Sequence, residues 1–271
     1  MSALNHPILP TENLNRIFCH PDRKHMRTRP FKALCHFRKL IANKEDTSQV
    51  FHIFESFPRK AALSEARAFV ESDAGKRIMA SEPYLPDLLD DHDSLKKLPG
   101  GSVGRTYVEF MEREGLSAAG LVAEHESIFV GRPQYNDMVE WYFNRGRDTH
   151  DLLHILSGYG RDALGEQCVL AFTHGQNPHF ANLFIAYAGG FELKRKVKKG
   201  APVFTAIREA QRNGKKMPNL VEMNIAALLG ENLEAARKRL NIAEPHDYRR
   251  THEHYRKAGI DPYDFLAPVA V

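Results

Sequence analysis

Cysteine is scarce. The 271 residues hold three, Cys19, Cys35 and Cys168, with no pair at Cys-x-x-Cys spacing. An odd, scattered set excludes a disulfide framework and suits a reducing compartment, with the thiols read as small buried apolar groups. Long apolar runs are also missing. No window comes near the about 18 uninterrupted apolar residues of a membrane-spanning helix, and the first thirty residues lack the apolar centre of a signal peptide. The expectation is a chain that is soluble or rests on a membrane surface. Charge of one sign is weak as well: a formal +4 and a pI near 8.9 are too mild for a nucleic-acid partner, and aromatics do not alternate with cations as a stacking platform requires. There is no Gly-x4-Gly-Lys-Ser/Thr loop, no internal repeat and no strand-like alternation of any length.

What the chain does have is apolar content: 42% hydrophobic and 10% aromatic suffice for a sizeable core. Apolar residues recur at helical spacing, and the reading is all-α, a single compact multi-helix domain. Residues 1–29 carry His20, Arg23, Lys24, His25, Arg27 and Arg29 and read as a flexible basic lead; 30–245 form the helical domain; 246–271, with His246, His252 and His254, read as a loose polar tail.

The densest chemistry lies at 150–166, His-Asp-Leu-Leu-His-Ile-Leu-Ser-Gly-Tyr-Gly-Arg-Asp-Ala-Leu-Gly-Glu. His150 and His154 are four apart and Asp151 precedes His154 by three, so on one helix the three side chains share a face. Ser157-Gly158-Tyr159-Gly160 predicts a stop, because glycine accepts the left-handed cap conformation. A second helix running back antiparallel brings Glu166 level with His154 across an interaxial gap of about 8–10 Å. Two imidazoles and two carboxylates meeting in an apolar hairpin repel one another and lose hydration without a compensating charge. The pattern therefore predicts a divalent cation on His150, Asp151, His154 and Glu166, zinc first, with iron, manganese or cobalt feasible. A hydrogen-bonded His/Asp network is the alternative.

Three other stretches carry expectations. Residues 134–156 predict one long helix, kinked at Gly146. Asp90-Asp91-His92-Asp93 reads as a turn and helix cap rather than an ion site, and Ser102 as the cap of a helix burying Val103, Tyr107, Phe110 and Met111. The apolar segment Phe180 to Phe191 is either a core helix or the wall of a lipid groove. The run Lys194-Arg195-Lys196-Val197-Lys198-Lys199 beside it reads equally as a solvated turn or as a contact to anionic lipid.

His-Asp-x-x-His, eleven residues, then Glu resembles the signature of the coenzyme-Q-four family of ubiquinone biosynthesis proteins. Further landmarks fall in family order: Leu98-Pro99-Gly100-Gly101-Ser102-Val103-Gly104 with Tyr107 and Phe110, the Asp46-Thr47 to Phe54 helix, Asn213-Gly214 before Pro218-Asn219-Leu220, and Arg237 to Ile242. Gly101 departs from the acidic or amide side chain that many members carry. The resemblance covers about 30–245. It implies an all-helical fold, an apolar groove for prenyl lipid, a metal, usually zinc, on the four motif residues, and homo-oligomers. It also implies partnership with other ubiquinone-biosynthesis proteins and a cytoplasmic place peripheral to the inner membrane face. The implied activity is a lyase: oxidative loss of the C1 carboxylate of a prenylated hydroxybenzoate, with hydroxyl in its place. A non-catalytic prenyl-lipid scaffold is the alternative. A metal-dependent phosphohydrolase is a weaker rival, since the further His and Asp ligands it needs are not placed here.

Overall fold

The computed structural model describes residues 16–23, 27–43, 46, 48–197 and 200–265, and among them the chain is helical with no strand; an isolated antiparallel bridge joins Ser102 and Asn232. The helices gather into two compact units, each built from discontinuous segments.

The first unit takes residues 16–23, 60–150 and 220–232. Its core joins Ala66, Phe69 and Val70 of the helix Ala62–Val70 to Ile78 and Met79 of Asp73–Ser81 and to Trp141 and Tyr142 of Met138–Asp148. Caps set the helix starts: Ser72, Asp91, Ser102, Ser117 and Asp137 each accept a backbone N–H three residues on, removing a donor otherwise left open in the first turn. Ser102 caps as the sequence predicts, while the acidic cluster, expected to cap a helix over Leu95 to Leu98, opens one earlier, His92–Leu95, through Asp91. Within the N-terminal span read as a flexible lead, residues 16–23 are anchored. The carbonyls of Ile17 and Phe18 accept from Met138 and Val139, and Arg23 pairs with the buried Asp137 at 2.7 Å. Residues 1–15 and 24–26 lie outside the described residues.

The second unit takes the described residues within 27–59, 151–219 and 233–265. The helices Pro30–Ala42 and Ser48–Ser56 press Ala33, Phe37 and Ile53 against Ala181 and Ile185 of Phe180–Lys196. Ala163–Gln176 packs between Phe180–Lys196 and Val203–Gly214. Glycine makes the second contact possible: a Cβ on Gly214 would lie 2.0 Å from the Phe172 carbonyl oxygen, so only a residue without one lets these backbones approach.

Three further expectations change. The long helix predicted over 134–156 is two, Met138–Asp148 and His150–Ser157. The interruption is at Thr149 rather than Gly146: the Thr149 hydroxyl donates back to the Arg145 carbonyl at 2.7 Å, a local bond that competes with helix continuation. The loose tail is instead a helix, His246–Lys257, burying Tyr248, Thr251 and Tyr255, whose spacing of three and four is the helical period that its many charges obscure. Of the three thiols only Cys168 is buried; Cys35 is exposed.

In the basic run, Lys194 donates to the Ala201 carbonyl at 2.8 Å and Arg195 pairs with Glu192, so both cations have local partners; Lys198 and Lys199 lie outside the described residues. Among the described residues, no helix is long and apolar enough to cross a membrane.

Candidate metal centre

The helix His150–Ser157 is apolar around most of its girth, with Leu152, Leu153, Ile155 and Leu156 all buried. It ends where the sequence predicts, at Gly158, whose φ of +77° belongs to the left-handed region. Arg237 caps its end, donating from Nε to the Leu156 carbonyl at 3.0 Å and from Nη2 to the Ile155 carbonyl at 2.8 Å. The chain then turns through Tyr159–Arg161. Asp162 opens the next helix, Ala163–Gln176, by accepting the N–H groups of Leu164 and Gly165.

One atom each from His150, Asp151 and His154 lies within 4.8 Å of the others, so the predicted face forms. His150 and Asp151 are half-buried, while His154 is 2% exposed. Glu166 comes over from the second helix: its Oε1 stands 3.6 Å from His154 Nε2 and 3.7 Å from Arg161 Nε. Glu166 meets His154 but falls outside the tighter three-residue cluster.

These residues fit a divalent cation. His154 Nδ1 lies 3.0 Å from the Tyr159 carbonyl oxygen; a carbonyl has no hydrogen to give, so Nδ1 carries a proton, and in the neutral ring that metal binding requires Nε2 keeps its lone pair. That lone pair faces Glu166. Bonds of about 2.0–2.2 Å in a tetrahedral zinc site put neighbouring donors about 3.4 Å apart, close to the His154–Glu166 separation. Two imidazoles with two carboxylates make a donor set of intermediate softness that suits zinc, iron, manganese or cobalt.

The apolar surroundings show in the neighbouring hydroxyl and thiol groups. Burial, reinforced by Cys168 and Glu209, pushes the Tyr159 phenol well above its ordinary value, and burial pushes the Cys168 thiol up likewise. Both stay neutral.

Sequence reasoning missed Arg161 and Asp162, and with them the backbone of Tyr159. Asp162 was visible as a capping residue before an apolar run, but what its carboxylate meets from residues 248 and 252 was not.

Compared with known proteins, residues 41–246 match the family described as "Coenzyme Q (ubiquinone) biosynthesis protein Coq4". The chain is similar to the mitochondrial ubiquinone biosynthesis protein COQ4 of Yarrowia lipolytica, with 26% identity over 67% of this chain and 66% of that one. It is also similar to the Candida tropicalis protein of the same description, with 23% identity over 78% and 64%. In both, the match spans just under two thirds of the relative's length. A solved structure from Nostoc punctiforme, whose own role in ubiquinone biosynthesis is a provisional assignment, superposes with a TM-score of 0.58 at 20% identity over 79% of this chain and 99% of that one. It shows the fold alone.

Proposed function

The chain belongs to the Coenzyme Q (ubiquinone) biosynthesis protein Coq4 family, and from that premise we propose that it is a metal-dependent enzyme replacing the C1 carboxylate of a prenylated hydroxybenzoate by a hydroxyl at the membrane surface. The observation that carries this reading is the convergence of His150, Asp151 and His154 within 4.8 Å, with Glu166 at 3.6 Å from His154.

His150, Asp151, His154 and Glu166 would hold a divalent cation, zinc first, which would supply Lewis acidity toward the phenolic or carboxylate oxygens of the ring. The chain's own groups do the remaining work. His154 is held in one tautomer by the Tyr159 carbonyl. Asp151, half-buried, takes and returns the ring-hydroxyl proton. Arg161, beside Glu166, sets a positive charge where an anionic head group arrives. Exchange of carboxylate for hydroxyl, with loss of CO2, is a net oxidation, and dioxygen or a partner protein supplies the oxidising equivalents. The prenyl tail needs an apolar wall. Phe180 and Phe191, 55% and 57% exposed on the helix Phe180–Lys196, supply part of one, consistent with a lipid groove, peripheral membrane contact and assembly with other ubiquinone-biosynthesis proteins.

The test is Glu166→Gln in cells depending on this protein, with the purified variant checked for helix content. A folded variant that loses metal while cells accumulate carboxylated precursor is the expected result. Normal quinone output from a metal-free, folded variant sinks the enzyme and leaves the non-catalytic prenyl-lipid scaffold.

A further inference from the structure

The peptide unit joining Tyr159 to Gly160 is gripped at both ends. Its carbonyl oxygen accepts from His154 Nδ1 at 3.0 Å, and its N–H donates to the Tyr248 hydroxyl at 3.0 Å. Because the unit is planar, it cannot rotate about its flanking bonds without losing both contacts. The Tyr248 hydroxyl in turn donates to Asp162 Oδ2, and His252 Nε2 donates to Asp162 Oδ1 at 3.1 Å. Asp162 is 1% exposed and Tyr248 7%. The buried carboxylate thus collects a phenol, an imidazole and two backbone amides. Gly160 leaves the room for this: a Cβ there would lie 2.8 Å from the Tyr248 hydroxyl and 3.1 Å from Asp162 Oδ2.

Tyr248 and His252 belong to the helix His246–Lys257, beyond the matched family span, which ends at residue 246. We propose that Tyr248 and His252, with Asp162, are positioning residues for the metal ligand His154, acting through the Tyr159–Gly160 peptide. Partners of this outer kind fix the tautomer and ring orientation of a ligating histidine. The inference rests on the metal reading above.

The experiment compares wild type with Tyr248→Phe, His252→Leu and His252→Gln as full-length proteins, titrated with Co(II) and Zn(II). The readouts are the competition Kd, the Co(II) visible spectrum, and folding by circular dichroism. Tyr248→Phe keeps the ring and removes the hydroxyl. It should fold, weaken metal binding about 10–100-fold and alter the Co(II) bands. His252→Leu should weaken binding, while His252→Gln, which keeps an N–H for Asp162, restores most of it. A folded Tyr248→Phe with wild-type Kd and spectrum overturns the inference alone. Wild type that takes up neither metal overturns the metal reading, and this inference with it. Should Tyr248→Phe fold poorly, the two variants at the half-buried His252 decide: equal Kd in Leu and Gln variants overturns the proposal.

Discussion

His154 Nε2 and Glu166 Oε1, twelve positions apart on two helices, lie 3.6 Å from each other. A cation bound by both ties the second helix to the first, and a ligand that binds only the folded state raises its stability, by about 2.7 kcal/mol at a concentration one hundred times Kd. Added zinc should therefore raise the melting temperature of the chelator-treated protein, and Glu166→Gln should remove most of that rise. Equal shifts in the two proteins would place the ion elsewhere.

Arg237 satisfies two carbonyls at the end of the motif helix. Arg237→Leu strands both acceptors, at a cost of about 1–3 kcal/mol. A chain of this size loses about 2–4 °C per kcal/mol, so thermal denaturation should fall by several degrees. No fall would mean that water reaches these carbonyls.

In the first unit Arg145, 1% exposed, donates to Glu82 at 2.9 Å and to the Val221 and Met223 carbonyls, while Glu82 also accepts from the Ala226 N–H. Removing one partner of such a buried pair leaves the other charge uncompensated, about 3–5 kcal/mol. Glu82→Ala should lower the urea midpoint far more than Glu71→Ala, whose exposed pairing with Arg67 contributes under about 1 kcal/mol. Similar midpoints for the two variants would contradict the assignment.

His179 accepts the Ala181 N–H through Nδ1 and so caps the helix Phe180–Lys196. Burial, helped by Arg59 and His174, lowers its pKa to about 4. The unfolded chain takes up this proton near the ordinary pH of about 6.5, so the neutral ring stabilises the fold fully above that pH. The contribution disappears as pH falls toward 4, and is at most about 3 kcal/mol. Stability measured from pH 7 to 4 should slope downward, and His179→Asn, which keeps a capping oxygen, should flatten the slope. An unchanged slope would place the titration on other groups.

The hairpin was legible because its signals are local. His150, Asp151 and His154 share a face by the helical period, Gly158 ends the helix through a backbone conformation that glycine adopts freely, and Ser102 caps through a bond three residues long. The helix His246–Lys257 was missed for a related reason. Its many charges look like solvated tail, although Tyr248, Thr251 and Tyr255 mark a buried stripe.

The sequence by itself determined an all-helical chain and the three-residue face of the motif helix, since both follow from contacts within about four residues. Only the tertiary structure decided how closely Glu166 approaches His154, that Arg145 meets Glu82, and that Tyr248 and His252 close on Asp162. Those pairings join polar groups 12 to 90 positions apart, and what selects each partner is the need to satisfy a polar group in an apolar interior, a demand that exists only after the helices have packed.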